Sequence, residues 1–436
     1  MQDYFELKKN NTTLQTEIIA GVSSFLATSY IIVVNPSVLS QAGMPFSGVL
    51  TATVLVSFFS SLMMGVYARN PIMVAPGMGL NAFFTYSAVL GLEVPWPVAL
   101  GAVFWSGVVF LLLSAFNIRT FILLAIPRPL RYAIAAGIGL FITLIGFANA
   151  KFIVPNPATI IGIGELTPAV LTFLGGLLFT AVLLTRQVKG AILFGILFTT
   201  LAAYPLGRWW GAGAGTETLV NWQGIFAAPD FSLLLQLDFV HSLQWAVVPV
   251  IFAFVFTDMF DSISTFVGLA EAANLLDAQG EPKNVKRSLL TDAVATTLAG
   301  LLGSSPGTAY IESAVGIEAG GRTGLTAVVG ALLFLPFLFL APLLSVIPAI
   351  ATAPALVLVG VFMVRPVTKV NWQQLDEAIP AFLAMVLIPF SYSITQGIIW
   401  GFLSWTVLKL ISGKTGDIPL ALLVIDVFCI LALVVA

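Results

Sequence analysis

Residues 70–84 read Asn70-Pro71-Ile72-Met73-Val74-Ala75-Pro76-Gly77-Met78-Gly79-Leu80-Asn81-Ala82-Phe83-Phe84, and residues 303–312 read Gly303-Ser304-Ser305-Pro306-Gly307-Thr308-Ala309-Tyr310-Ile311-Glu312. Prolines and glycines crowd both stretches, which is hostile to a continuous helix. Both nevertheless lie within long apolar sequence. Hydrophobic residues make up 59% of the 436 residues and charged residues only 9%, against about 25% charged in a soluble domain. So few charges cannot cover a water-facing surface, and a bilayer must be the main solvent. Broken backbone facing lipid leaves polar groups unpaired at several kcal/mol each. Such breaks persist where they are buried or line a wet cavity. A half-helix starting after each Pro-Gly would aim its positive end into that cavity. An ordinary proline kink is the plainer reading of either break alone; two in corresponding positions are the pattern of a transporter site.

A crossing needs about 20 apolar residues. Spans are expected near 17–40, 46–67, 71–91, 96–116, 127–149, 167–185, 190–206, 242–271, 288–303, 305–320, 324–344, 347–364, 378–392 and 394–411. That makes an all-α polytopic membrane protein of about fourteen segments, several shorter than a full crossing. A last apolar stretch, 418–436, carries Asp426 and either spans or lies against the bundle. No cleavable leader is expected, since residues 1–17 are polar and run straight into membrane-length sequence. With the N-terminus inside, alternation places Lys8, Lys9, Arg69, Arg119, Arg128, Arg131, Arg186, Lys189, Lys283, Lys286, Arg287, Arg322, Arg365, Lys369, Lys409 and Lys414 inside. Only Lys151 and Arg208 of the 18 basic residues fall outside, as the positive-inside rule requires. The longest outer connection, 207–241, holds Trp209, Trp210 and Trp222, which suit an interface.

Weak echoes point to duplication. Pro76-Gly77 opens a short segment in the first half and Pro306-Gly307 one in the second. Ile126-Pro127 with Gly139 is matched at identical spacing by Ile347-Pro348 with Gly360.

Four acids, Asp258, Asp261, Asp292 and Glu312, fall inside expected spans. Each ionised carboxylate at mid-membrane costs about 2.5–3.5 kcal/mol on insertion scales. No Lys or Arg lies deep enough to pair with them, so they are protonated, hydrated or ligand-bound. Asp258 and Asp261, three positions apart, share a helix face and cannot both ionise readily. That property suits a proton carrier. A carboxylate also accepts from ring N–H and amine donors. The structural alternative is acids bonded to backbone at the breaks. Asn81 both donates and accepts, which suits a heterocycle edge; capping near the Pro-Gly turn is its other reading. Among 34 phenylalanines, Phe83 and Phe84 are better read as packing residues than as stacking platforms. His241, the single histidine, falls at the outer edge of a span in a surface or cap role, and Arg322 marks an inner turn. One His and one Cys (Cys429) make no metal or haem site of the usual kind, and no Walker loop is present. No cofactor is expected. A net charge of −2, with basic residues confined to inner loops, argues against nucleic acid.

Ala75 to Phe84 (APGMGLNAFF) resembles the third-segment signature of the hypoxanthine–adenine–guanine permeases, the AzgA-like branch of the nucleobase–cation symporters within the xanthine/uracil permease superfamily. Thr308 to Ala314, followed by Gly320-Gly321-Arg322-Thr323-Gly324, resembles the tenth-segment signature. Asp258-Met259-Phe260-Asp261 resembles the acidic pair of the eighth, and Tyr30 to Pro36 is also similar. The likeness runs in order from about residue 5 to 411. It implies two inverted seven-segment repeats, with short extended stretches in the third and tenth segments. It further implies a core domain (17–116 and 242–344) and a gate domain (127–206 and 347–411). Residues 1–16 would be a cytoplasmic N-terminus, 207–241 an extracytoplasmic connection and 412–436 a hydrophobic tail. By carry-over, Asp258 and Glu312 bind the purine, with Asn81 and Asp261 supporting. Glu312, Asp258 and Asp292 couple protons, the last matching a ninth-segment acid. Alternating-access import of a purine nucleobase by proton symport, at the inner membrane and by a homodimer joined through gate domains, is the family expectation. The alternatives are a uracil/xanthine-type permease or an anion transporter of the same fold; the latter would want a basic residue within 303–316, where there is none. Two departures stand near the expected pocket: Ser262-Ile263-Ser264-Thr265-Phe266 where a Thr-then-Gly-Thr pattern is expected, and Gly307 where a bulkier or hydroxylated residue is common. They leave the preferred purine open.

Overall fold

The Thr13 hydroxyl accepts from the Thr16 N–H and so starts α1 (Leu14–Thr28). A hitch at Ser29 and Tyr30, both with helical dihedrals, leads into α2 (Ile31–Leu39), and Leu14–Ala42 remains one apolar helical stretch, as expected for 17–40. The computed structural model describes residues 4–115, 127–210, 224–273 and 284–435. Arg119, Ile126, Trp222 and Lys283, and parts of 1–16, 17–116, 207–241 and 412–436, lie outside the described residues. So do the side chains of Arg208, Trp209, Trp210, Ile263 and Ser264.

After α3 (Phe46–Val66), residues 71–91 form no single helix. They run as a three-residue strand β1 (Val74–Pro76), a short α4 (Met78–Ala82) and a π-helical stretch Phe83–Gly91. Then come α5 (Trp96–Ala115), α6 (Arg128–Asn149), the hairpin β2 (Ile153–Asn156) and β3 (Ile160–Ile163), α7 (Pro168–Thr185) and α8 (Ala191–Trp210). The hairpin is absent from the hydropathy reading because it is too short and exposed to leave an apolar period. The second half follows with α9 (Val248–Ala273), α10 (Val285–Leu302), β4 (Gly307–Ala309) and α11 (Ala314–Glu318). Next are α12 (Gly324–Phe334), α13 (Ala341–Leu344), α14 (Ala349–Val364), α15 (Leu375–Ser391), α16 (Ile394–Ile411) and α17 (Leu420–Val435). Among the described residues seven helical stretches are long and apolar enough to cross a bilayer by themselves. Of the other expected spans, 71–91, 305–320 and 324–344 are built from shorter pieces, whereas α8 and α9 are continuous helices. The C-terminal stretch is settled as a helix: α17 packs along α16, and the Thr406 hydroxyl donates to Asp426 at 2.5 Å.

The two breaks meet. β1 and β4 pair antiparallel, with Val74 opposite Ala309, Ala75 opposite Thr308 and Pro76 opposite Gly307. Beyond the strands, the Gly77 N–H donates to Pro306 O and the Tyr310 N–H to Met73 O, both at 2.9 Å. Side chains finish what so short a ribbon cannot. Ser61 accepts from the Val74 N–H and donates to its carbonyl, each at 2.9 Å, and Ser313 accepts from the Met73 N–H. Asn35, fully buried, donates to Thr53 and Ser304 and accepts from Ser305, pinning the second break. This is how broken backbone survives at membrane depth: every strand edge is enclosed by protein. Gly303, with φ +91, ends α10 just before the break, a conformation that favours glycine.

Two groups of helices emerge from the packing. In one, α3 and α12 cross, α5 and α10 cross, and α1, α2 and α9 lie against them. In the other, α6 is gripped between α14 and α15, with α7, α8 and α16 alongside. The α6–α14 crossing is made at Gly139 and Gly360, where a Cβ on Gly360 would meet Gly139 O at 2.5 Å.

Candidate functional site

The ribbon and α9 place the acids. Glu312 follows β4 in a single 3-10 turn (Ile311–Ser313), half-buried, and its Oε1 accepts from the Tyr30 hydroxyl at 2.7 Å. Tyr30 stands at the α1–α2 junction, so the first apolar stretch supplies the partner. Asp261, on α9, is also half-buried and receives the Thr308 hydroxyl at 3.5 Å. Tyr30, Met78, Gly79, Asp261, Thr308, Tyr310 and Glu312 line a common cavity of about 50 Å³, closed on the far side by Val359 and Met363 of α14. The site therefore lies where both broken segments meet the second helix group. The Tyr310 hydroxyl donates to Pro76 O in a short hydrogen bond and ties one wall of the cavity to the first break.

Asp258 and Asp292 are behind that wall. Asp258 is 1% exposed, and the Thr296 hydroxyl lies 2.6 Å from its Oδ2 and 3.0 Å from Gly307 O. Asp292, fully buried on α10, accepts a short hydrogen bond from Ser262. Ser262 and Thr308 hydroxyls stand 2.8 Å apart. Because Ser262 donates to Asp292, its contact with Thr308 needs Thr308 as donor. Thr308 has one proton, which serves Ser262 or Asp261 but not both. A hydroxyl chain thus joins Asp261 at the cavity to Asp292 behind it. Of the two acids on one face of α9, the site receives Asp261, while Asp258 faces α10.

Asn81 is fully buried and does not line the cavity. It caps no helix: its amide nitrogen lies 3.8 Å from Met78 Sδ, and its Oδ1 meets no donor among the described residues. Phe83 and Phe84 are buried and pack on Phe254, as packing residues should. His241 is exposed, with Nδ1 2.6 Å from Asp238 Oδ2. Gly307, one of the departures, turns its missing side chain toward Ala295, where a Cβ would come within 2.9 Å. It acts through packing behind the cavity. Ser262, the other departure, keeps a hydroxyl at the junction of the chain.

Sequence reasoning gave no role to Tyr30, Thr308 or Glu17. Glu17, fully buried on α1, accepts from the Arg322 and Thr326 N–H groups and the Thr326 hydroxyl (2.9, 3.2 and 2.6 Å), capping α12 from another helix. A lone acid in an apolar helix followed by a distant Gly-Gly-Arg-Thr-Gly turn was the available signal. A second cavity of about 400 Å³ reaches Glu312 from one end of the molecule, between Ala27, Val315 and Glu318 on one side and Leu184, Lys189 and Phe362 on the other. Lys189 donates to Ser23 at 2.9 Å across it. At the opposite end the two helix groups touch: Asn149 donates to the Tyr86 hydroxyl at 3.1 Å, Tyr86 to Gln41 at 3.0 Å, and Ser87 to Tyr392 O at 2.9 Å.

Paired broken segments around buried carboxylates, within a bundle of apolar helices, define a multi-pass membrane transporter. Solved structures place the fold. The transmembrane domain of the cyanobacterial bicarbonate transporter BicA superposes with a TM-score of 0.65 at 17% identity, covering 88% of this chain and 97% of that one. SLC26A9 superposes with a TM-score of 0.63 at 10% identity over 92% of this chain and 66% of that one. The profile of the permease family matches residues 15–399, and the chain belongs to that family. Adenine permease AdeP of Escherichia coli strain K12 is 40% identical over 437 residues, covering 100% of this chain and 96% of its own length. Guanine/hypoxanthine permease PbuO of Bacillus subtilis strain 168 is 38% identical, over 98% of this chain and 99% of its own. A putative permease of Methanocaldococcus jannaschii, MJ0326, is 43% identical, over 96% and 94%. These are transporters, and the chain is no enzyme.

Proposed function

We propose that this chain imports purine nucleobases (hypoxanthine, guanine and/or adenine) by proton symport through alternating access at the inner membrane, with its N-terminus in the cytoplasm. The observation that carries the reading is a cavity holding two carboxylates, Glu312 and Asp261, at the junction of both breaks. A carboxylate facing a purine accepts from ring N–H and amino donors. The relatives named for adenine and for guanine and hypoxanthine supply the substrate class. Glu312 is the principal proton-coupled ligand and Asp261 its neighbour at the cavity. Asp258 and Asp292 hold the wall behind, with Asp292 in contact through the Ser262–Thr308 hydroxyls. Asn81 supports α4 beside the break.

The helix group of α1–α5 and α9–α12 acts as core and that of α6–α8 and α14–α16 as gate. The two halves are inverted repeats of seven segments each. In support, the echoed positions Gly139 and Gly360 touch, and Pro76 pairs with Gly307. The sorting of basic residues supports a cytoplasmic position for the 400 Å³ cavity, whose size is within the ~300–1,000 Å³ typical of ligand sites. The Tyr86 and Ser87 contacts close the outer side. We read the conformation as inward-facing and the assembly as a homodimer joined through gate domains.

An anion carrier of this fold would meet two carboxylates and no cation in the cavity, which repels its substrate. Competition by uracil and xanthine separates the remaining branch. The test is uptake of labelled hypoxanthine, guanine and adenine with and without a protonophore. Uptake that collapses with the protonophore is expected, and undiminished uptake by an E312Q/D258N double variant refutes the assignment.

A further inference from the structure

A third cavity, of about 390 Å³, lies away from the transport path, at the root of both broken segments. Lys9, Arg69, Arg287 and Arg322 converge on it, with Asn284 and Thr323. The positive-inside rule explains basic residues on this face. It does not explain four of them in one concavity when Lys8 and Lys286, on the same face, stand exposed outside it.

The only carboxylate lining the cavity is Glu6, 3.1 Å from Lys9. Among the described residues, none of the three guanidinium groups has a carboxylate within 4.0 Å of its nitrogens; the carboxylate of Glu17 meets only the Arg322 main-chain N–H. Each guanidinium is held by something other than an acid. The Arg69 guanidinium lies 4.5 Å over the Tyr4 ring, and that of Arg287 5.8 Å from the Tyr67 ring. Arg322 gives one nitrogen to Ile317 O and Gly321 O. Stacking fixes a guanidinium's plane and leaves its N–H edge for a planar or tetrahedral anion. One helix start adds to this: Asn284, on the cavity wall, precedes α10 and makes no side-chain cap. Converging cations repel unless an anion neutralises them.

We propose that this cavity binds a phosphate-bearing anion, held by Arg69, Arg287 and Arg322. Its size admits a phosphate with an attached group. Tyr4 and Tyr67, the 45% and 41% exposed rings that hold Arg69 and Arg287, suit either a headgroup reaching in from the bilayer or a soluble phosphate from the water side. The occupied site ties the Arg69 root of the first break to the Arg322 turn after the second, so binding stabilises the fold.

The test uses the purified full-length protein in nanodiscs of phosphatidylcholine, alone or mixed with phosphatidylglycerol. Thermal unfolding and equilibrium dialysis of radiolabelled inorganic phosphate are the readouts, in wild type, R69Q/R287Q and the exposed control K8Q. Phosphate that binds in phosphatidylcholine, with affinity falling at least ~10-fold in the double variant, identifies a soluble anion. A midpoint raised only by phosphatidylglycerol, the gain vanishing in the double variant, identifies the headgroup. R287Q alone, on an exposed residue at the start of α10, keeps the test open should the double variant fail to fold. No gain from either anion, or the same gain in all variants, overturns the proposal.

Discussion

Glu312 meets one hydroxyl, that of Tyr30, at 2.7 Å, and the rest of its carboxylate faces the two cavities. Glutamine at this position keeps the size and the hydrogen bonding but cannot carry a proton. E312Q is therefore expected to abolish concentrative purine uptake while leaving the protein folded, as size-exclusion profiles and thermal unfolding will show. D261N is expected to act in the same direction. Y30F removes one hydrogen bond to a charged group, worth about 1.5–3 kcal/mol. It should lower kcat/KM for the purine roughly 10-fold or more, and transport unaffected by Y30F would dissociate that hydroxyl from the site. The acids were legible one by one, because a carboxylate in an apolar span announces itself. Which of them reach the cavity was not. Asp258 and Asp261 lie three positions apart, and only packing against α10 decides that one meets Thr296 and the other the cavity. Tyr30 heads a family-like stretch, but its contact with Glu312, 282 positions away, leaves no local trace in sequence.

The β1–β4 ribbon is the element that makes the site. Its two strands were legible as breaks from Pro76-Gly77 and Pro306-Gly307, but their pairing joins residues more than half the chain apart and leaves no local trace. Ser61 satisfies both the N–H and the carbonyl of Val74. Removing that hydroxyl leaves two buried backbone groups without their side-chain partner, at about 1–3 kcal/mol each. S61A should therefore lower the thermal midpoint and transport together, whereas S61T should retain the hydroxyl and much of both. G77V would set a side chain within 2.6 Å of Thr308 Cγ2, and it should abolish transport by opening the ribbon.

A second element-scale device clamps α15 to α16. Lys409, whose side chain is fully buried, lies 2.8 Å from Asp376, 3.3 Å from Asp417 and 3.6 Å from Glu377. Hydrogen bonds from Lys409 and then Lys414 hold the Asp376 carboxyl well below the usual carboxylate range. A depressed carboxylate stabilises the fold above its unfolded pKa of about 3.9. That contribution is present at neutral pH and is lost as the medium is acidified below about pH 4. D376N should lower the thermal midpoint only in part, since Glu377 and Asp417 still face Lys409. Adding K409M should recover much of the loss, because no buried cation is then left.

For the whole molecule, two ends of one path differ. A cavity of about 400 Å³ opens between the helix groups at one end, while Asn149–Tyr86–Gln41 and Ser87–Tyr392 join them at the other. Y86F removes the hydroxyl through which Asn149 and Gln41 are linked. Each bond is worth about 0.5–1.5 kcal/mol, so the balance should move away from the observed state about 3- to 10-fold. A cysteine at Gln187, on the cavity wall, reports this in a C429A background: its labelling by a maleimide should slow in Y86F. The membrane class was readable from composition and charge. The facing of the molecule was not, since it rests on a handful of neutral hydrogen bonds between distant helices.

The most direct test of proton-coupled purine transport is concentrative uptake by the purified protein in liposomes. An inward proton gradient is imposed, and labelled hypoxanthine, guanine and adenine are offered in turn. Accumulation of at least one purine above its external concentration is predicted, collapsing when the gradient is dissipated and absent in E312Q. Purine uptake no greater than in protein-free liposomes, or accumulation that survives both the loss of the gradient and E312Q, would contradict it.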